Sequence, residues 1–151
     1  MTATIPTSKT QDDAVRNRSW PRTAAAAGLG AAGAIIINSV IAWTARGLFD
    51  VPSAFEPLSA QAYLPASVIG ALAGAIGWHM IAGRVRRGSR LPMALVPVVL
   101  ALSLIPDVLL LADRSQQPGT TTAGVLMLML MHLGVAAASV PAYRRLIQAR
   151  P

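Results

Sequence analysis

The chain has 151 residues, 54% hydrophobic and 13% charged, with a mean hydropathy of +0.53; this balance points to one domain of a membrane protein and away from a soluble one. The net charge of +7 sits in short segments beside apolar runs, with few aromatic residues among them, which excludes nucleic acid as a partner and assigns the charge to topology. Cysteine is absent, so disulfides, thiolate metal sites, thiol nucleophiles and cysteine-attached haem are excluded.

Residues 1–22 are rich in Thr, Ser, Asp and Arg and lack apolar periodicity. They are expected to form a mobile tail whose basic end, Arg16, Arg18 and Arg22, meets the membrane surface. The first apolar segment, 23–45, is too long for a signal-peptide core and ends in Trp43-Thr44-Ala45-Arg46 without an A-x-A site, so it is expected to be an uncleaved anchor. Ala27, Ala31, Ala34, Asn38 and Ala42 lie along one stripe of it. The connection 47–63 combines Pro52 and Pro57 with Leu48, Phe49, Val51 and Phe55, a mixture suited to an interfacial element capping the outer end.

The second segment, 63–83, carries the G-x-x-x-G pair Gly70 and Gly74, extended by Gly77. In lipid such small residues permit close helix contact. Packing against the first helix is the simpler expectation, and a homo-oligomer seam through Gly70 and Gly74 is the alternative. Trp78 and His79 belong at the interface. The basic turn Gly83–Arg90 serves topology and can also meet anionic headgroups. The third segment, 91–112, holds Pro97 and Pro106, which free the carbonyls of Met93 and Leu102 and predict a kink. The fourth spans 121–143, before a short C-terminal tail, 147–151. Each segment has the roughly 20 residues needed to cross a hydrocarbon core, so residues 23–146 are expected to form an all-α, up-down bundle of four transmembrane helices.

Charge gives the orientation. Lys9, Arg16, Arg18 and Arg22, Arg84, Arg86, Arg87 and Arg90, and Arg144, Arg145 and Arg150 make eleven of the thirteen basic residues on one side. Arg46 and Arg114 alone fall on the other, so both termini are expected to be cytoplasmic, in a multi-pass protein of the cell membrane. So uneven a count disfavours a dual-topology exporter, and the first helix lacks an intramembrane carboxylate.

Function rests on the few polar residues at membrane depth. Counting from the outer boundary, Asp107 lies about 9 Å down the third helix, Asn38 about 12 Å down the first and His132 about 15 Å down the fourth. Ser103 stands a turn from Asp107 and can bond to it or back to its own helix. Together these residues are expected to line an outward-facing pocket, with Glu56 approaching from the loop above it. Asp107 and His132 can exchange protons there, with Glu56 as a second carboxylate, or Asn38, Ser103, Asp107 and His132 can form a network that only fixes helix register. A copper site is excluded by geometry: Met127, Met129 and Met131 cannot share one helical face, and His79 and His132 differ in depth. No metal and no cofactor is expected, and nucleotide-binding, zinc-protease and hydrolase motifs are missing from the sequence.

Asn38, the Phe55-Glu56-Pro57-Leu58 loop, Trp78, Ser103 through Asp107, and Met131-His132 resemble an uncharacterised family of small four-span membrane proteins from actinobacteria, over most of 24–146. The resemblance implies the topology and no activity. The primary expectation is a pocket that binds a lipidic or other amphipathic molecule. The alternatives are a small membrane enzyme, such as an isomerase or cyclase with Asp107 as acid and His132 as base or orienting group, and a structural subunit of a membrane complex. Transport is disfavoured by the lack of inverted repeats.

Overall fold

The computed structural model describes the backbone of residues 8–85 and 90–148, with side chains for 20–85 and 90–147. Arg86, Arg87 and Arg150 lie outside the described residues, as do the side chains of Lys9, Arg16 and Arg18. Every regular element among the described residues is helical: α1 (Ser8–Leu48), α2 (Ala60–Arg84), α3 (Leu91–Ser103), α4 (Ile105–Ala112) and α5 (Thr122–Tyr143), which runs on as a π-turn, Arg144–Gln148. Four stretches are long and apolar enough to cross a membrane: Trp20–Leu48, Ala60–Arg84, Leu91–Ala112 and Thr122–Ile147. They coincide with the four apolar segments of the sequence to within a turn at most ends.

The backbone of α1 starts well before its apolar part, so the break in composition near residue 22 falls inside one continuous helix, beyond the point where regular structure was expected. Once the apolar stretch has formed a helix, each further residue needs only propagation, and Arg16, Arg18 and Arg22 of this flank are good helix formers. The α1 stripe of Ala26, Ala27, Gly30, Ala34, Asn38 and Ala42 is buried. Spaced at three and four residues, it lies between α2 and α5, the two helices with which α1 makes most of its contacts.

The contact with α5 is backbone-close because glycines sit at the crossing. A Cβ on Gly30 would stand 2.8 Å from Ser139 Oγ, one on Gly33 would stand 3.1 Å from Ala138 Cβ, and one on Gly134 would stand 2.8 Å from Asn38 Oδ1. The buried stripe of α2 is Ser67, Ala71, Ala75 and Trp78. The close approach of α2 thus uses Ala71 and Ala75, one position along from the glycine pair that the sequence singles out.

Helix ends are capped by side chains. Ser59 Oγ accepts from the Ala62 amide at 3.3 Å, and Thr121 Oγ1 from the Gly124 amide at 3.0 Å. Between α1 and α2 the connection folds inward, with Val51, Phe55 and Leu58 buried and Arg46 donating to the Leu58 carbonyl at 3.2 Å. Phe55 lies where a Cβ on Gly124 would reach its ring, at 3.1 Å. Gly119, at φ +72°, also admits no side chain, because its Cβ would meet the Phe55 amide nitrogen at 2.9 Å.

Two apolar clusters result. One joins the end of α1, this connection, α4 and the start of α5 around Phe55, Leu58, Val125 and Met131. The other joins Ala26 and Ala27 of α1 to Ala75 and Trp78 of α2 and to Tyr143 and Ile147.

The expected kink in the third apolar segment is a break. Leu104 separates α3 from α4, with its amide shared between the Leu100 and Ala101 carbonyls at 3.1 and 3.3 Å. Pro106 has no amide to offer the Leu102 carbonyl, and its ring crowds the preceding turn. Pro97 is accommodated inside α3. The segment Leu91–Ala112 is the least buried of the four.

Candidate functional site

Because α3 stands off from α2, a cleft of about 820 Å³ opens between them, floored by α1 and α5. Its α2 wall is Gly70, Ala73, Gly74 and Gly77, and its α3 wall includes Val96, Val99 and Leu100. Small residues on one side facing branched ones on the other leave a trough where larger side chains would have closed the gap. The α2 wall runs from Tyr63 to Ile81, about 27 Å at the helical rise. Gly70 and Gly74 therefore border the cleft, and their nearest neighbours are Val135 and Tyr143 of α5 in the same chain.

Polar atoms lie along the floor of this apolar trough. Asn38, Ser67, Ser103, His132, Ser139 and Tyr143 all contribute to its lining. Asn38 donates through Nδ2 to Ser67 Oγ at 2.9 Å, and Ser67 in turn donates to the Tyr63 carbonyl at 2.7 Å. Tyr143 donates to the Ala71 carbonyl at 2.5 Å and packs its ring 5.8 Å from that of Trp78, closing the far end. Asn38 Oδ1 and Ser139 Oγ are buried with no hydrogen-bond partner among the described residues; each faces a glycine of the crossing helix.

Asp107 is 4% exposed, and its Oδ2 lies 3.2 Å from His132 Nδ1. The same Nδ1 is 3.1 Å from the Leu128 carbonyl. A carbonyl only accepts, so Nδ1 carries the proton, and the neutral ring is the Nδ1–H tautomer. That N–H is aimed at Leu128, which explains why Oδ2 approaches at ion-pair distance without an aligned hydrogen bond. Nε2 is the ring nitrogen with no partner among the described residues. Asp107 sits in the first turn of α4.

The structure thus brings Asp107 to His132 and does not bring the other candidates to them. Asn38 bonds to Ser67, Ser103 donates back to the Leu100 carbonyl at 2.7 Å, and the exposed side chain of Glu56 makes no hydrogen bond or ion pair among the described residues. Asn38, Ser103 and His132 do share the cleft, whereas Asp107 lies behind His132 and outside the lining. Sequence reasoning passed over Ser67, Ser139 and Tyr143. The available signal was a mid-span hydroxyl on a small-residue stripe. His79, expected at the interface, bonds to Thr23 at 2.9 Å and stacks 4.6 Å from the ring of Trp20, tying α2 to α1. Among the described residues no three or more His, Cys, Asp or Glu side chains come together as a group that could hold a metal ion.

Fold and site together define a helical bundle with four segments able to cross a membrane and an apolar cleft edged by one carboxylate–imidazole pair. The chain belongs to the family of unknown function DUF6069, which it matches over residues 16–149. No curated protein matches it, and no solved structure does.

Proposed function

We propose that this chain is a multi-pass protein of the cell membrane, an up-down bundle with both termini cytoplasmic, whose α2–α3 cleft binds a lipidic or other amphipathic molecule. The observation that carries the reading is the cleft itself: about 820 Å³, within the range of small-molecule sites, and apolar along its length with polar groups on the floor. An acyl or isoprenoid chain fits beside Gly70, Gly74 and Gly77. A polar group fits near His132, whose Nε2 accepts a hydrogen bond in the neutral tautomer, and near the Asn38–Ser67 pair. Entry is sideways, between α2 and α3.

Gly77 tests this reading, because a Cβ there meets nothing within 4 Å, so the side chain of Gly77→Leu starts into the cleft without a clash at its Cβ. Native mass spectrometry of the protein released from its membranes is expected to show a retained amphiphile, depleted at least tenfold in Gly77→Leu combined with Ala73→Leu. A wild type that retains no enriched species, or a filled variant that retains as much as wild type, overturns it.

A second reading is favoured by the Asp107–His132 contact alone: a small membrane enzyme in which Asp107 positions His132 for acid–base chemistry on the bound lipid. On this reading Asp107→Asn accumulates a retained species that differs from the wild-type one in mass or chromatographic retention. The same species in both proteins removes it.

A further inference from the structure

A second crevice, of about 700 Å³, lies where Met93 of α3 faces the last turns of α5, adjoining the cleft at Ala136 and Val140. Its walls are Ala136, Ala137, Val140 and Pro141, and its rim is Arg144 and Arg145. Both arginines are exposed, and neither side chain has a hydrogen-bond or ion-pair partner among the described residues. No carboxylate among the described residues lines the crevice. Both arginines contribute to the lining of the crevice. They stand in the last turn of the apolar stretch Thr122–Ile147.

We propose that this crevice is a binding site for an anionic phospholipid of the surrounding leaflet, its phosphate held by Arg144 and Arg145 and the start of one acyl chain seated between Met93 and Ala137. Charge complementarity selects the headgroup. A guanidinium fork matches phosphate oxygens two at a time, and basic pockets between membrane helices suit anionic headgroups. The apolar wall selects a lipid over a soluble anion, because a free phosphate leaves Met93, Ala137 and Val140 uncovered. The crevice shares Ala136 and Val140 with the α2–α3 cleft, whereas Met93, Ala137 and the two arginines belong to the crevice and not to the cleft lining.

Native mass spectrometry with phosphatidylglycerol and phosphatidylcholine of identical chains tests it. Phosphatidylglycerol is expected to be retained preferentially, with the preference falling about fivefold per arginine in Arg144→Gln and Arg145→Gln. It should be unchanged in Arg114→Gln, which alters a distant loop. Since Arg144 and Arg145 also weigh on topology, Ala137→Phe is the second variant: it fills the crevice, keeps both charges and is expected to cut retention. Gly77→Leu is expected to leave retention intact, which separates this site from the cleft. Equal retention of the two lipids, an unaltered preference in the arginine and Ala137→Phe variants, or full competition by inorganic phosphate overturns the proposal.

Discussion

At the scale of single residues, the chain buries one carboxylate and lets one imidazole answer it. The two are not symmetric in their consequences. His132→Ala leaves Asp107 buried without its polar neighbour, a change expected to cost about 1–3 kcal/mol. Asp107→Asn keeps the shape, and His132 keeps its Leu128 carbonyl, so its cost is expected to be about 1 kcal/mol or less. In the Asp107→Asn background, His132→Ala should then cost less than half of what it costs in the wild type. Denaturant titrations of the four proteins in bicelles measure this coupling, and additive costs would show that the 3.2 Å approach carries no interaction energy. Asp113 stands in contrast at the end of α4, fully exposed. The Ser115 hydroxyl, then the Ser115 amide and Gln116, donate to its carboxylate and hold its pKa below the usual range. A depressed folded pKa means these bonds are fully present above the unfolded pKa and are lost as pH falls through the folded value. Ser115→Ala is expected to raise the titration midpoint of Asp113 in a carboxyl NMR titration, and an unmoved midpoint would contradict the assignment.

Between elements, spacing is set by hydrogen atoms where side chains might have been. Gly134→Ala places a methyl 2.8 Å from both Asn38 Oδ1 and Ile37 Cγ2. Both neighbours belong to a packed crossing, so the substitution is expected to destabilise by about 1–3 kcal/mol. Gly28→Ala meets nothing within 4 Å on the same α1 helix. There the gain in helix propensity, up to about 1 kcal/mol, should stand alone. Thermal melts in one detergent decide it: Gly134→Ala below wild type, Gly28→Ala at or above it, with the reverse order sinking the packing argument. These glycines show where the sequence is readable. The four apolar segments follow from length and composition, and the break near Leu104 follows from the missing amide of Pro106. The facing of α2 does not follow, because Gly70/Gly74 and Ala71/Ala75 are neighbouring small stripes and period alone does not say which meets α1. Asp107 was legible as a buried carboxylate in need of a partner. That His132 supplies the partner while Asn38 turns to Ser67 depends on helix rotation, which small apolar residues leave unspecified in sequence.

For the whole molecule, the two apolar clusters and the charge distribution argue for one arrangement in the membrane. Phe55 and Leu58 of one connection pack with the start of α5, while the start of the α1 apolar stretch packs with the ends of α2 and α5. The exposed connections on the Phe55 side carry Asp50, Glu56 and Asp113 against Arg46 and Arg114, whereas the opposite end carries Arg84, Arg90, Arg144 and Arg145 among the described residues. Retention of basic loops in the cytoplasm is the ground for the proposed orientation, with the second end inside. The chain has no cysteine, so single substitutions report position without background. Ser53→Cys and Ser115→Cys, on exposed residues of the Phe55 side, are expected to react in intact cells with a membrane-impermeant maleimide. Gly83→Cys is expected to react only after the membrane is opened. Labelling of all three in intact cells would mean mixed orientation, and labelling of Gly83→Cys alone would invert the arrangement. The expected pattern has a chemical corollary: the Asp107–His132 pair lies nearer the outer face, and Arg144 and Arg145 stand at the cytoplasmic leaflet, where anionic lipid and basic side chains attract each other.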